Sequence, residues 1–214
     1  MTLPSIIKAL EKVYGVLQPP VTDPFEIILL ENVAYLVDDD LRWETFERLR
    51  DEVGLTPAAI LARTPEEIAA AIAGGGMKPE MRAEKVLECA RLAASVGVSA
   101  KTLRKFPGVG EPLADRILLI GGAKATAAPD SNALRTLLRL GYGVESKSYA
   151  QSYRSAVDAA ASELRDAKSA LRAHLVLRRH GQEVCMRSSP RCEVCPLRGD
   201  CAWAQRLGGA SSRR

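Results

Sequence analysis

At 214 residues, 47% hydrophobic and 26% charged, the chain is sized for one or two globular domains with a substantial core. No apolar run approaches the ~20 residues of a membrane span, and Met1-Thr-Leu-Pro-Ser-Ile-Ile-Lys lacks the basic-then-apolar pattern of a secretory signal, so a cytoplasmic chain without membrane contact is expected. The net charge of +4 is uneven: residues 1–100 hold 10 Lys/Arg against 16 Asp/Glu and residues 101–214 hold 20 against 10, which points the second half toward a polyanion.

In chain order, apolar residues recur at helical spacing from Leu3 to Leu17 (Ile6, Ile7, Leu10, Val13, Tyr14) until Gln18-Pro-Pro ends them. Asp23-Pro24 pairs an N-cap residue with a first-turn proline and opens a helix that is apolar on most faces through Ala34. Asp38-Asp39-Asp40 reads as the N-cap cluster of a helix over Leu41–Val53. Thr56-Pro57 and Thr64-Pro65 begin two short helices, the second with a capping box to Glu67 and a stop at Gly74-Gly75-Gly76. A long helix over Pro79–Val96 holds Cys89 among apolar neighbours, where it reads as a small buried residue. A short basic helix over Ser99–Lys105 and a helix over Glu111–Ile120 follow. The last three expected helices are Ser131–Leu140, Tyr149–Leu164 and Ala167–His180, and the tail from Gly208 is expected to fray. No strand and no repeat emerge, so the fold class is all-α.

Two motifs interrupt this pattern. The first is Leu103-Arg-Lys-Phe106-Pro107-Gly108-Val109-Gly110-Glu111-Pro112-Leu113-Ala114. Glycines permit backbone angles that other residues resist and leave amides bare at a helix N-terminus, where an anion is favoured. Such a turn holds a DNA phosphate without reading sequence. The second is a set of four cysteines, Cys185, Cys192, Cys195 and Cys201, spaced C-x6-C-x2-C-x5-C. Soft thiolates select zinc or an iron–sulfur cluster. Structural zinc prefers two short clips, and only Cys192–Cys195 is one, so the wide spacing favours a bulky cluster; zinc and a disulfide framework are the alternatives. The two histidines, His174 and His180, suggest no His-based metal site.

Together the hairpin and the cysteine loop resemble the endonuclease III family of helix-hairpin-helix DNA glycosylases, over roughly residues 4–204. The resemblance implies two helical domains flanking a DNA-binding cleft. One is a six-helix barrel domain at 23–128 with the helix-hairpin-helix at about 99–120; the other, built from 1–22 and 129–214, carries a [4Fe–4S] cluster on Cys185, Cys192, Cys195 and Cys201. It also implies double-stranded DNA as partner and a nucleoid-associated monomer. DNA contacts are then expected from Lys105, Phe106, Gly108, Val109 and Gly110 of the hairpin, and from Arg187 and Arg191 in the cysteine loop. Arg198 and the preceding Arg178, Arg179 and His180 add to the same basic cluster.

The family's essential Asp lies at the interval past the hairpin where Asp130 stands, and a carboxylate there also suits an N-cap of the helix from Ser131. A fixed anion stabilises the oxocarbenium-like sugar left by a departing base, or activates water against it, once the nucleotide has left the stack. Three departures shape the expectation. The lysine with which bifunctional members attack the sugar is replaced by Pro112, next to Glu111, so a monofunctional glycosylase using water is expected; Lys101, Lys105 and Lys124 are the other amines at hand. The family's pocket glutamine is missing from Leu30-Glu31-Asn32-Val33-Ala34-Tyr35; Asn32 or Tyr35 takes that place, and Glu31 roughly matches a base-protonating carboxylate, or else is an ordinary salt-bridged helix residue. The Thr-His pair often found after the Asp is Ser131-Asn132 here. The readings left open are a non-catalytic binder of damaged DNA and a bifunctional glycosylase/lyase using a different amine.

Overall fold

The computed structural model describes residues 1–211, and its regular structure among them is helical, with one isolated bridge between Tyr35 and Gly76. No helix among the described residues is long and apolar enough to cross a membrane. The chain divides into two compact units, Val21–Ile117 and a second built from Met1–Pro20 with Leu118–Arg214.

In the Val21–Ile117 unit the helix starts are written locally. Asp23 accepts hydrogen bonds from the amides of Phe25 and Glu26 and caps α2 (Pro24–Asn32), which buries Phe25, Ile27, Ile28 and Leu29. Asp38 caps α3 (Asp39–Glu52) through the amide of Leu41, so the acidic triplet serves as a helix start. Thr56 caps α4 (Pro57–Leu61), and the expected capping box of Thr64 and Glu67 opens α5 (Pro65–Ala71). Helix α6 (Pro79–Val96) packs against α2, α4 and α5 and buries Val86, Leu87, Cys89 and Ala90. The short helix expected over Ser99–Lys105 is only a 3-10 turn, Leu103–Lys105. The Thr102 hydroxyl donates to the carbonyls of Gly97 and Ser99 and accepts from the Ser99 amide, and such local side-chain bonds compete with helix. Helix α7 (Glu111–Ile120) follows the hairpin.

Helix α2 stops at Asn32, short of the expected Ala34, and the reason lies far away in sequence. Arg82 on α6 is 2% exposed, and its guanidinium donates to the carbonyls of Val33, Ile72, Gly76 and Met77. With the Val33 carbonyl taken, the chain leaves the helix, and the Tyr35 amide pairs with the Gly75 carbonyl at 2.8 Å. The buried charge thus ties two irregular segments to α6.

The other unit places α1 (Leu3–Tyr14) against α10 (Ala167–Glu183), and α10 against α8 (Ser131–Leu140); α9 (Tyr149–Ala161) and α11 (Ala202–Ser211) pack on α8. Helix α1 buries Leu3, Ile6, Ile7 and Leu10, each contributing roughly 2 kcal/mol by area removed from water, an upper estimate. They meet Leu134 and Leu137 of α8, Tyr153 of α9 and Val176 and Leu177 of α10. The small residues Ala133, Ala156, Ala160, Ala170 and Ala173 in this core let helices approach closely. At Gly181 the approach is closest: a Cβ there would lie 2.5 Å from the Asn132 carbonyl oxygen, so α10 can cross the start of α8 only with glycine. Glu163 accepts from the Leu3 amide at 2.6 Å and from the Tyr142 hydroxyl at 3.1 Å, which fastens the start of α1. Helix α11 continues past Gly208, where fraying is expected, and residues 212–214 of that expectation lie outside the described residues.

Replacing Arg82 with Met should destabilise the protein by about 3 kcal/mol or more, because buried carbonyls lose their donors together. Urea unfolding measures this, and Arg82→Lys should recover less than half, since an ammonium cannot span four carbonyls as a planar fork does.

Candidate functional site

The hairpin is built from a buried apolar frame with polar backbone at its tip. Leu103, Phe106, Val109, Leu113 and Ala114 are buried, while Gly108, Gly110 and Lys105 are exposed. Gly108 has φ of +76°, the left-handed region that favours glycine. The Val109 amide donates to the Phe106 carbonyl at 3.1 Å and the Ala114 amide to the Gly110 carbonyl at 3.0 Å, so the turn runs directly into α7. Phe106 and Val109, expected as contacts, shape the hairpin from inside; only their backbone is placed to meet a ligand.

Asn32 likewise lies inward. It is 6% exposed, and its amide donates to the carbonyls of Ile28 at 2.9 Å and Pro107 at 3.1 Å, while its oxygen sits 3.1 Å from where a Cβ on Gly108 would be. It anchors the hairpin to α2 and does not present a group outward. Glu31 is paired with Arg116 at 2.5 Å and Arg42 at 3.5 Å, the salt-bridged alternative, and ties α2 to α3 and α7. Tyr35 is 50% exposed, as a residue that meets a ligand must be. Its neighbours supply a feature that composition hides: Leu36 (φ +59°, 74% exposed) and Met77 (57% exposed) form an apolar, locally strained tip on the two segments that Arg82 secures.

Asp130 caps α8. Its Oδ1 accepts from the amides of Asn132 at 3.1 Å and Ala133 at 2.8 Å, and its Oδ2 lies 3.1 Å from Nε of Arg178. The side chain is 12% exposed. The helix N-terminus and the guanidinium both favour a negative charge here. Asn132 then accepts from Arg135 at 2.9 Å, and Arg135 donates onward to the carbonyls of Cys185 at 2.8 Å and Gly181 at 2.6 Å. A short run of hydrogen bonds therefore links the residues after the carboxylate to the first cysteine. Arg178 and Arg179, grouped by sequence with the loop's basic residues, turn elsewhere: Arg178 to Asp130, Arg179 to Glu183 at 2.5 Å. Arg187, Arg191 and Arg198 are exposed, and no ion pair engages them among the described residues.

The four cysteines of the loop line one pocket, together with Arg139, His180, Leu197 and Trp203. All are free thiols, which removes the disulfide alternative. Among the described residues no three His, Cys, Asp or Glu side chains converge on a single ion. A multinuclear cluster fits this arrangement of four soft ligands around an apolar space better than one zinc ion does. The loop is held without regular structure. Arg139 donates to the carbonyls of Met186 at 2.7 Å and Arg187 at 3.0 Å and to the Cys185 sulfur at 3.3 Å, and its guanidinium stacks 4.9 Å from the Trp203 ring. The Arg191 amide closes the first arm on the Val184 carbonyl at 2.9 Å. Burial, then the neighbouring cysteines, push the Cys192 thiol up, and burial does the same at Cys195; iron held by these residues would offset this by stabilising the thiolates. Arg135 and Arg139 were missed by motif reading. Their spacing from Asn132, three and then four residues along α8, is the signal that places all three on one helix face.

Residues 185–201 match the iron–sulfur binding domain of endonuclease III. The endonuclease III of Thermotoga maritima is 27% identical over 199 residues, covering 90% of this chain and 89% of that protein. That of Treponema pallidum is 30% identical over 155 residues, 70% of each. Among solved structures, a trapped endonuclease III–DNA covalent intermediate superposes with a TM-score of 0.78 at 21% identity, covering 97% of this chain and 99% of that one. A thermostable thymine-DNA glycosylase gives 0.75 at 19% identity, with 95% and 97% covered. The fold is that of the helix-hairpin-helix glycosylases, the cofactor is a [4Fe–4S] cluster, and the chain belongs to the endonuclease III family.

Proposed function

We propose that this protein is a DNA glycosylase of base-excision repair that removes a flipped base by hydrolysis and lacks an efficient lyase step. The observation that carries this reading is Asp130, a carboxylate with one oxygen fixed by two amides of α8 and the other turned to Arg178. An anion fixed in advance stabilises positive charge on the sugar as the base departs, without reorganising at that moment. The same carboxylate orients water toward the sugar carbon. Pro112, in the first turn of α7, offers no amine to replace water. Lys101 and Lys105 are exposed, and an exposed flexible amine is poorly fixed for attack. Glu31, engaged by two guanidiniums, supports the fold in this reading and takes no part in the chemistry.

Duplex DNA is the proposed partner. The backbone of Gly108, Val109 and Gly110 at the start of α7 suits a phosphate. Arg187 and Arg191 add exposed positive charge. Tyr35, with Leu36 and Met77, is the apolar tip we assign to the space vacated by the flipped nucleotide, in place of Asn32. Cys185, Cys192, Cys195 and Cys201 would hold the cluster. When bound, it supplies the cross-link that an irregular loop with few apolar residues needs in order to stay folded.

The test is excision on duplexes carrying oxidised pyrimidines, uracil or thymine opposite guanine, alkylated purines and 8-oxoguanine pairs, each sample split and half treated with hot alkali. Breaks only after alkali are expected. Breaks without alkali would overturn the hydrolytic assignment, and tight binding with no breaks at all would overturn catalysis. Asp130→Asn should lower excision by at least ~10²-fold while folding and DNA affinity persist, because asparagine caps a helix about as well as aspartate.

Arg187→Ala and Arg191→Ala should each weaken binding to all sequences alike and reduce the slope of log affinity against log salt by about one unit. Cys192→Ser should abolish the visible absorbance of the iron–sulfur centre and sensitise the 185–201 loop to protease, read by absorbance and by mapping the cut sites.

A further inference from the structure

Near Cys195 two helices from opposite ends of the chain meet through one imidazole. His180 on α10 is 1% exposed, and its Nε2 lies 3.4 Å from the Cys195 sulfur. Its Nδ1 lies 3.0 Å from the hydroxyl of Tyr14, in the last turn of α1. The two rings meet edge to face, with centroids 6.1 Å apart at 62°.

The direction of these bonds follows from the chemistry at their ends. A cysteine sulfur on iron is a thiolate and only accepts hydrogen bonds. Nε2 therefore carries the ring proton, Nδ1 is left as an acceptor, and the Tyr14 hydroxyl donates to it. The hydroxyl is a dependable donor, since burial pushes it up to about 12. Tyr14 thus selects the imidazole tautomer that points N–H at sulfur.

We propose that Tyr14 and His180 form a two-bond relay that fixes one N–H on the Cys195 sulfur and thereby raises the reduction potential of the iron–sulfur centre. Adding an electron to the centre increases negative charge on its sulfurs. A donor held against one of them stabilises the reduced state over the oxidised one, and cluster potentials respond to hydrogen bonds of this kind. Low dielectric around the buried ring strengthens the effect. The contact differs from the one at Cys185, where the charged Arg139 fork also binds three loop carbonyls and so serves the loop's shape. His180 and Tyr14 are positioning residues: neither bears on DNA chemistry directly.

The test uses holoprotein and three variants, Tyr14→Phe, His180→Leu and His180→Gln, each checked for iron content. Protein-film voltammetry gives the potential, and resonance Raman spectra in H₂O and D₂O report hydrogen bonding to the ligand sulfur. Loaded His180→Leu should show a lower potential and a smaller D₂O shift of the iron–sulfur(Cys) bands than wild type. Tyr14→Phe should move both in the same direction by less, because the released ring samples the other tautomer only part of the time. His180→Gln, which keeps an N–H, should fall between wild type and His180→Leu. Wild-type potentials and D₂O shifts in loaded Tyr14→Phe and His180→Leu would overturn the proposal and leave the trio as packing. If His180→Leu takes up no iron, Tyr14→Phe, which deletes a single oxygen, decides alone.

Discussion

A guanidinium set against bare backbone carbonyls is the interaction on which the irregular parts of this protein depend. Loops that leave helical geometry expose carbonyls with no partner in their own segment, and burying one unpaired costs about 1–3 kcal/mol. Arginine supplies five N–H groups in a flat fork and accepts nothing, so a single side chain can satisfy several carbonyls at once. Arg82 does this for Val33, Ile72, Gly76 and Met77 in one unit. Arg135 and Arg139 do it for Gly181, Cys185, Met186 and Arg187 in the other.

The placement of these forks connects stability to function. Each secures a segment that bears a candidate functional feature, the Tyr35–Leu36 and Met77 tip in one case and the cysteine loop in the other. In both, the arginine projects from a long or well-buried helix, so the rigid element does the positioning and the loop carries the chemistry. Asp130 follows the same logic by a different route, since the first turn of α8 holds its carboxylate through two amides. Helix α8 carries Asp130 at its start and Arg135 and Arg139 along one face, and it therefore supports both the candidate catalytic group and the cysteine loop.

Much of the helical skeleton was legible in local chemistry. Asp23, Thr64 and Asp38 all cap the helices they precede, and the cysteine spacing correctly pointed to a cluster centre. Reading failed where a side-chain hydrogen bond or tertiary packing overrode the expected pattern. Ser99–Lys105 has a helical pattern, yet the Thr102 hydroxyl takes the backbone groups that a helix needs. Asn32 and Phe106 sit in a motif associated with DNA contact, yet both are buried in the hairpin's frame. For Glu31 the sequence offered both a base-protonating role and a salt bridge, and Arg42 and Arg116 pair with it. The helix Ala202–Ser211 follows the last cysteine with too little apolar periodicity to announce itself.

What the sequence determined by itself was the all-α class, the helix starts, the hairpin, the cysteine set and the carboxylate at Asp130, because each depends on neighbours within a few residues or on a spacing that survives in one dimension. Only the tertiary structure decided which side chains turn outward and which basic residues are spent internally. It set Arg178 on Asp130, Arg82 on four carbonyls and His180 between Tyr14 and Cys195. Several of these pairings join residues far apart in the chain, as Arg82 with Val33 and Tyr14 with His180 do. Burial and hydrogen-bond satisfaction over the whole packed chain select them, and no local pattern encodes that balance.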